Sequence, residues 1–441
     1  MYKKVLSIFL TLILGLFLAG CTIPGTDINV PIPYLDDLLN GTDSSVPVNK
    51  EVTITYWSLF EPFELYQPLI LQYEQENPGV KIVFEQKVFD DLDVYKDTLL
   101  SKLQLKETTP DIVRIHSSWV PKFSDSLSPA PEDVVSAASV QSDYYSTVTE
   151  TSVLNGRVYS LPLMFDSLAL FYNKDAFDSG SLSPPATWSE FADLSISLTQ
   201  GSGSNITRAG AAFGSADNVA HFSDILGLMM NQSDVELPRD MNSDAMKEII
   251  VFYTNFVTQM KVWDTSQVYS PLSFSQGRTA MMFGPSWQLL NILENNPNLN
   301  VGVAPVPQVV SENSLTDDNF ASYWVEAVNV NSANSKEAWK FINWLSQPEQ
   351  LRSTFNQAAN TRAFGEPYPR VSMQSELASN VFLAPFYVNA DKAKARKFAD
   401  LSGNSNYVEI LKNVVEGVIN GGDVGTLLQT AEQEYNRLDS L

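Results

Sequence analysis

The stretch Val52-Thr53-Ile54-Thr55-Tyr56, followed by Glu64 to Glu76 and then by Val80-Lys81-Ile82-Val83-Phe84, decides the fold. The outer pieces are short, β-branched or aromatic and bounded by turn residues, as strands are. The middle piece spaces its apolar residues at helical intervals and stops at Asn77-Pro78-Gly79. A helix over Leu92–Lys106 then leads to another apolar strand, Asp111–Ile115. Strand, helix, strand, helix, strand predicts an α/β body opening on a parallel sheet with right-handed crossovers.

Downstream, Asn155-Gly156 reads as a hairpin turn before Val158–Leu161, and strands are expected at Ser167–Tyr172, Thr279–Phe283, Val301–Ala304 and Ser322–Val330. Helices are expected at Thr187–Gln200, Asp217–Met230, Asp244–Met260 and Lys336–Ser346. From about Val371 the chain reads as mainly helical, with Asn420-Gly421-Gly422 between the last two helices. No repeat of 20 to 50 residues is present. The roughly 390 residues from Glu51 onward suffice for two domains of common size.

Upstream lie Lys3 and Lys4, an apolar run from Val5 to Leu18, and Leu18-Ala19-Gly20-Cys21. A positive start, a short apolar run and small residues at the cut predict a secretory signal over residues 1–20, because the run is too short to span about 30 Å of hydrocarbon. The ending resembles a bacterial lipobox, which implies acylation of Cys21 and an anchor on the outer face of the cell membrane. Residues 21–50, rich in Pro, Gly, Asp, Ser and Thr, read as a spacer. Cys21 is the only cysteine, so no disulfide is available.

Loss of the leader removes two lysines and no acid, leaving 26 basic against 51 acidic side chains, a formal charge of −25. Such a chain repels phosphate backbones and anionic headgroups, which argues against nucleic-acid binding and against membrane adhesion by charge. Aromatic residues at 11% suit core packing and equally suit a carbohydrate cleft.

Several segments resemble, in order and spacing, the solute-binding proteins of ABC transporters, in particular the maltose-binding-like family. They are Ile54-Thr55-Tyr56-Trp57 with Tyr73 to Ile82, Thr109 to Val113, Gly156 to Pro162, Leu168 to Asp175, Pro185 to Phe191, Gly277 to Trp287, and Ser335 to Ile342. The resemblance spans about Glu51 to Leu441. It implies a two-lobed periplasmic-binding-protein type II fold, with residues 51–165 plus 304–354 in one lobe and 166–303 plus 355–441 in the other. Crossovers are then expected near 164–167, 301–305 and 357–361, with a ligand held between the lobes. It also implies a monomer that captures a mono- or oligosaccharide and hands it to permease subunits.

Sugar recognition needs aromatic faces for the pyranose C–H surface and planar polar groups for its hydroxyl rim. Trp57, Ser58 and Glu61 follow the first strand and supply both kinds, although Trp57 fits the sheet edge equally well. His116, Ser117, Ser118 and Trp119 follow the third strand, at the carboxyl end where α/β ligands are usually found. The two serines replace a more strongly polar loop common in sugar binders. By the family resemblance, Asp166 falls in the first crossover, to accept from sugar hydroxyls or to hold the hinge, and Trp287 presents a stacking ring after Gly284-Pro285-Ser286. Tyr323 and Trp324 open a later strand. Arg362 follows the last crossover, facing ligand or pairing with an acid. Trp188, Trp339 and Trp344 sit on amphipathic helices and read as core.

No Walker loop, His-Glu-x-x-His or Gly-x-Ser-x-Gly motif is present, and His116 and His221 are far apart in sequence, so no cofactor, metal or catalytic set is expected. The alternative is a surface-anchored glycosidase or lyase using two of the many carboxylates.

Overall fold

Val52–Leu59 (β1) pairs in parallel, from Val52↔Val80 to Leu59↔Lys87, with Val80–Lys87 (β2). Between them Phe63–Glu76 (α1) buries Leu65, Tyr66, Leu69, Ile70 and Tyr73, a stripe at helical spacing. The helix stops where Asn77 Nδ2 donates to Tyr73 O at 2.9 Å and Gly79 takes a φ of +95°. Leu92–Gln104 (α2) starts at Asp91, whose side chain accepts from Asp93 N. It returns the chain to Ile112–His116 (β3), parallel to β1 and buried at every residue. These elements come from a computed structural model that describes residues 51–311 and 314–440. The expected signal segment, Cys21 and the spacer lie outside the described residues.

Two short helices at 137–143 and 146–152, not anticipated from the sequence, precede a hairpin of Val153–Leu154 (β4) and Arg157–Val158 (β5). Asn155 and Gly156 both take positive φ, 52° and 74°, which gives the turn a twist matching its strands. Ser160–Leu161 (β6) follows. The chain then enters a second sheet of Ala169–Asn173 (β7), Met281–Gly284 (β8) and Val301–Ala304 (β9), in the order β8-β7-β9 and antiparallel throughout. Trp188–Leu198 (α3) begins with a reciprocal cap in which Thr187 Oγ1 accepts from Glu190 N and Glu190 Oε2 accepts from Thr187 N. Phe222–Asn231 (α4), Asp244–Thr258 (α5) and Ser286–Asn295 (α6) complete this region. The expected start of α4 at Asp217 moves to Phe222 because His221, at φ +59°, sets the chain's entry into the helix.

Beyond a small hairpin of Val310–Ser311 (β10) and Ser314–Leu315 (β11) come Asn319–Ala321 (β12) and Trp324–Val328 (β13). Strand β13 lies antiparallel between β3 and β6, so the first sheet, ordered β2-β1-β3-β13-β6, is mixed and not parallel throughout. Ser335–Leu345 (α7) and Pro348–Ala359 (α8) follow. The helical tail is confined to Ser405–Ile419 (α9) and Val424–Asp439 (α10). Residues 371–402 instead form short helical turns and Ala393–Ala395 (β14), which pairs with β12. Trp188, Trp263 and Trp339 are buried, and Trp344 is half-buried with its Nε1 donating to Glu76 Oε2. Among the described residues no helix is long and apolar enough to cross a membrane.

The five-stranded sheet thus draws on residues 52–161 and 324–328, and the three-stranded sheet on 169–173 and 281–304. Where the chain runs between them, Leu168 N donates to Phe320 O at 3.1 Å and Ser322 N to Asp166 O at 3.2 Å.

Candidate functional site

A cavity of about 780 Å³ opens between the two sheets. One wall comes from the loop after β1, the residues leading into β13, and segment 361–367. The other comes from the start of α6, the start of α4, and the loop at Asp400-Leu401. Such a volume lies within the range of small-molecule sites.

Trp287 reaches the cavity because of how α6 begins. Gly284 ends β8, Pro285 cannot donate and caps nothing, and the first free backbone donor is Ser286 N. Asp166 answers it: Ser286 N lies 3.0 Å from both carboxylate oxygens, Ser286 Oγ donates at 2.8 Å, and Ser167 N donates at 2.9 Å. A carboxylate at a helix start satisfies orphan N–H groups and meets the positive end of the dipole. Burial pushes the Asp166 carboxyl up to about 6, with the bonds from Ser286, Ser167 and Trp287 pulling the other way. Asp166 lines the cavity, but its oxygens already hold the helix that carries Trp287, which suits the hinge-side role.

Beside Trp287, edge-on with ring centres 5.4 Å apart, sits His221. Its Nδ1 donates to Asp224 Oδ2 at 2.9 Å, and its backbone N donates to Asp400 Oδ2 at 3.1 Å. Burial opposes a charge on this imidazole, yet the bond to Asp224 and the charge of Asp400 outweigh it and hold its pKa above the usual value. Burial likewise pushes Asp224 up to about 6, against the pull of His221.

On the facing wall Phe60, at φ +66° and 53% exposed, stands edge-on to Trp324 at 5.1 Å. Trp324 is half-buried, and Tyr323 beside it is buried, with its hydroxyl 2.7 Å from Thr151 Oγ1. Arg362 donates from Nε to Phe364 O at 3.0 Å and from Nη2 to Glu366 Oε1, and its Nη1 stands 3.9 Å from Glu61 Oε1.

Six of the expected residues therefore meet at one cavity: Glu61, Asp166, Trp287, Tyr323, Trp324 and Arg362. Five do not. Strand β1 runs on to Leu59, so Trp57 and Ser58 lie within the sheet; Lys87 Nζ covers the Trp57 ring at 4.0 Å, and Ser58 is fully buried. His116 and Ser117 are buried beside β13 and its lead-in: His116 Nε2 lies 3.2 Å from Ser322 Oγ, and Ser117 N donates to Tyr323 O. Burial and the charge of Lys96 lower the His116 pKa to about 3. Trp119 is buried as well, its Nε1 donating to Ser402 O at 2.6 Å. The sequence reading passed over Phe60, His221, Asp224, Glu366, Asp400 and Leu401, which line the cavity from loops and a helix start that carry no motif. The one available signal was position, since Phe60 and Glu61 directly follow a strand of the first sheet. Among the described residues no group of His, Cys, Asp and Glu is placed to hold a metal ion.

The sequence profile of the bacterial extracellular solute-binding proteins matches residues 57–351. A protein of Brucella abortus named as a binding protein is 26% identical over 297 residues, covering 65% of this chain and 69% of that one. The maltotriose-binding protein of Pyrococcus abyssi is 22% identical over 314 residues, 68% of this chain and 64% of the relative. Among solved structures, the sugar-binding protein of the phytopathogen Xanthomonas citri superposes with a TM-score of 0.69 at 20% identity, covering 88% of this chain and 97% of that one. That likeness shows the two-lobed fold.

Proposed function

This chain belongs to the bacterial extracellular solute-binding protein family, and we propose that it captures a saccharide in the cavity between its sheets and delivers it to the permease of an ABC importer. The observation that carries this reading is the meeting of Trp324, from the first sheet, and Trp287, from the helix that follows a strand of the second, across a cavity with carboxylate and guanidinium groups on its walls. Aromatic faces with fixed polar groups are what a sugar ring requires. The names of the Pyrococcus abyssi and Xanthomonas citri proteins, which bind maltotriose and sugar, point the same way. Glu61, Trp287, Trp324 and Arg362 form the contact set, with Asp166 and Tyr323 holding their positions from behind the cavity wall. Residues 51–165 plus 304–354 and 166–303 plus 355–441 act as the two lobes that close on the ligand, with segment 361–367 reaching from the second lobe to the wall that carries Glu61.

As a member of an extracellular family the chain works outside the cytoplasm. The lipobox-like Leu18-Ala19-Gly20-Cys21 supports cleavage before Cys21 and attachment of the mature protein through its acylated cysteine. Cys21→Ser is expected to move the protein from the membrane fraction to the soluble fraction with ligand affinity unchanged. Retention of that variant in membranes would point to an uncleaved leader.

A saccharide panel read by thermal shift tests the ligand class, because a ligand at 100 times its Kd adds about 2.7 kcal/mol of stability. Failure of every sugar and polyol, with a shift from amino acids or peptides, would remove the carbohydrate reading. Incubation with labelled oligosaccharides tests the role: one equivalent retained intact supports a receptor, and product beyond one equivalent would establish an enzyme.

A further inference from the structure

The cavity's charges bear on which saccharides it admits. Six carboxylates line it, those of Glu61, Asp166, Asp224, Glu294, Glu366 and Asp400, against two groups able to carry positive charge, Arg362 and His221. Neither cationic group stands free. His221 is bonded to Asp224 and lies 3.5 Å from Asp400, and Arg362 is bonded to Glu366 and to the Phe364 carbonyl. An anion entering the cavity would find both of these charges already answered, with further carboxylates on both walls.

Glu61 adds a second, independent observation. It is only 8% exposed and lines the cavity, yet its carboxylate accepts no hydrogen bond among the described residues, and the ion-pair contact it makes, to Arg362 Nη1, is long at 3.9 Å. A carboxylate held at a cavity wall without a hydrogen-bond donor from the protein leaves its accepting positions to water or to an occupant. An ionised carboxylate only accepts, so what it lacks is an O–H or N–H.

We propose that the cleft is selective by charge, taking neutral or ammonium-bearing saccharides and rejecting uronates and phosphorylated sugars, with Glu61 accepting from a hydroxyl or ammonium of the occupant. This rests on the saccharide reading above and narrows it. Like charge placed in a site without a free counter-charge is a strong discriminator between otherwise similar ligands.

The test needs no variant at first. The protein is equilibrated with an equimolar mixture of neutral, amino, uronic and phosphorylated mono- and oligosaccharides, desalted rapidly, and its retained sugar identified by mass spectrometry. Neutral or amino sugars are expected, and the uronate counterpart of the retained sugar should bind at least about 100-fold more weakly on titration. Glu61→Gln, which keeps the shape and removes the charge, should weaken the retained sugar about tenfold and narrow the gap to its uronate. Retention of an acidic or phosphorylated sugar overturns the charge selection and leaves the carbohydrate reading standing. Unchanged affinity in a Glu61→Gln protein that melts like the parent overturns the role of Glu61. Retention of no saccharide at all removes the carbohydrate reading and this inference with it.

Discussion

His116-Ser117-Ser118-Trp119 and Gly284-Pro285-Ser286-Trp287 are built alike. In each a buried strand ends, small or turn-forming residues follow, and a tryptophan begins a helical turn. Their tryptophans end in opposite places: Trp119 is 1% exposed in the core, whereas Trp287 lines the cavity. Trp287 keeps its place at the cavity because Asp166 holds its turn through Ser286 at the helix start, bonding the backbone and the serine hydroxyl and leaving the indole to line the cavity. Trp119 is covered by a segment 283 residues downstream, with Ser402 O taking its indole N–H and Gly403 pressed so close that an added Cβ would lie 2.7 Å from Cζ2. Strand-end grammar therefore sets where a tryptophan emerges, and distant chain decides whether it stays exposed.

The contrast breaks most visibly on stability. Trp119→Ala should cost about 3–5 kcal/mol in urea unfolding, as large core truncations do, and Trp287→Ala under about 1 kcal/mol. Equal losses would mean that the two rings share one environment.

A pH series sharpens the same contrast at His116, the residue that opens the buried turn. Its pKa is lowered to about 3, so between that value and about 6.5 the unfolded chain binds more protons than the folded one. Stability from this group is present above pH 6.5 and is lost as pH falls, about 3 kcal/mol by pH 4. Asp166 and Asp224, raised to about 6, act with the opposite sign: their folded forms hold protons more tightly, so their contribution grows as pH falls through 6. Those carboxylates remain in His116→Gln, so the difference between the two stability profiles isolates the histidine. A flat difference from pH 6.5 to 4 would show that His116 is not held neutral in the fold.

The smallest effect belongs to ligand affinity. Trp287→Ala should weaken the bound sugar by about 1–3 kcal/mol, roughly five- to 150-fold by isothermal titration. Full affinity in that variant would place the stacking surface elsewhere in the cavity, on exposed Phe60 or half-buried Trp324.

Much of the architecture was legible in the chain itself because its signals are local. Apolar spacing located α1, α3 and α7, Asn155-Gly156 marked a hairpin, and β-branched runs located β1, β2, β3 and β9. The site was legible only in part, for two physical reasons. β1 runs three residues beyond its apparent end, which turns Trp57 and Ser58 into sheet residues facing Lys87 and the core. His221, set aside in the sequence as far from His116, bonds Asp224 only three residues on, but Asp400 is 179 residues away and Trp287 is 66 away by number, and only the packing of α4 against the loop at Asp400 brings these together.

The sequence by itself determined the alternation of strands and helices, the acidic balance, and which strand ends carry aromatic and polar groups. Each of these depends on residues within a turn or two of one another, where spacing and side-chain type suffice. Tertiary structure alone decided that β13 inserts antiparallel beside β3, that segment 402–404 covers Trp119, and that Glu61, Arg362 and Glu366 share a wall opposite His221 and Asp400. These outcomes depend on contacts between residues far apart in the chain, whose closure is settled by the burial of the whole core and leaves no local mark on the residues it joins.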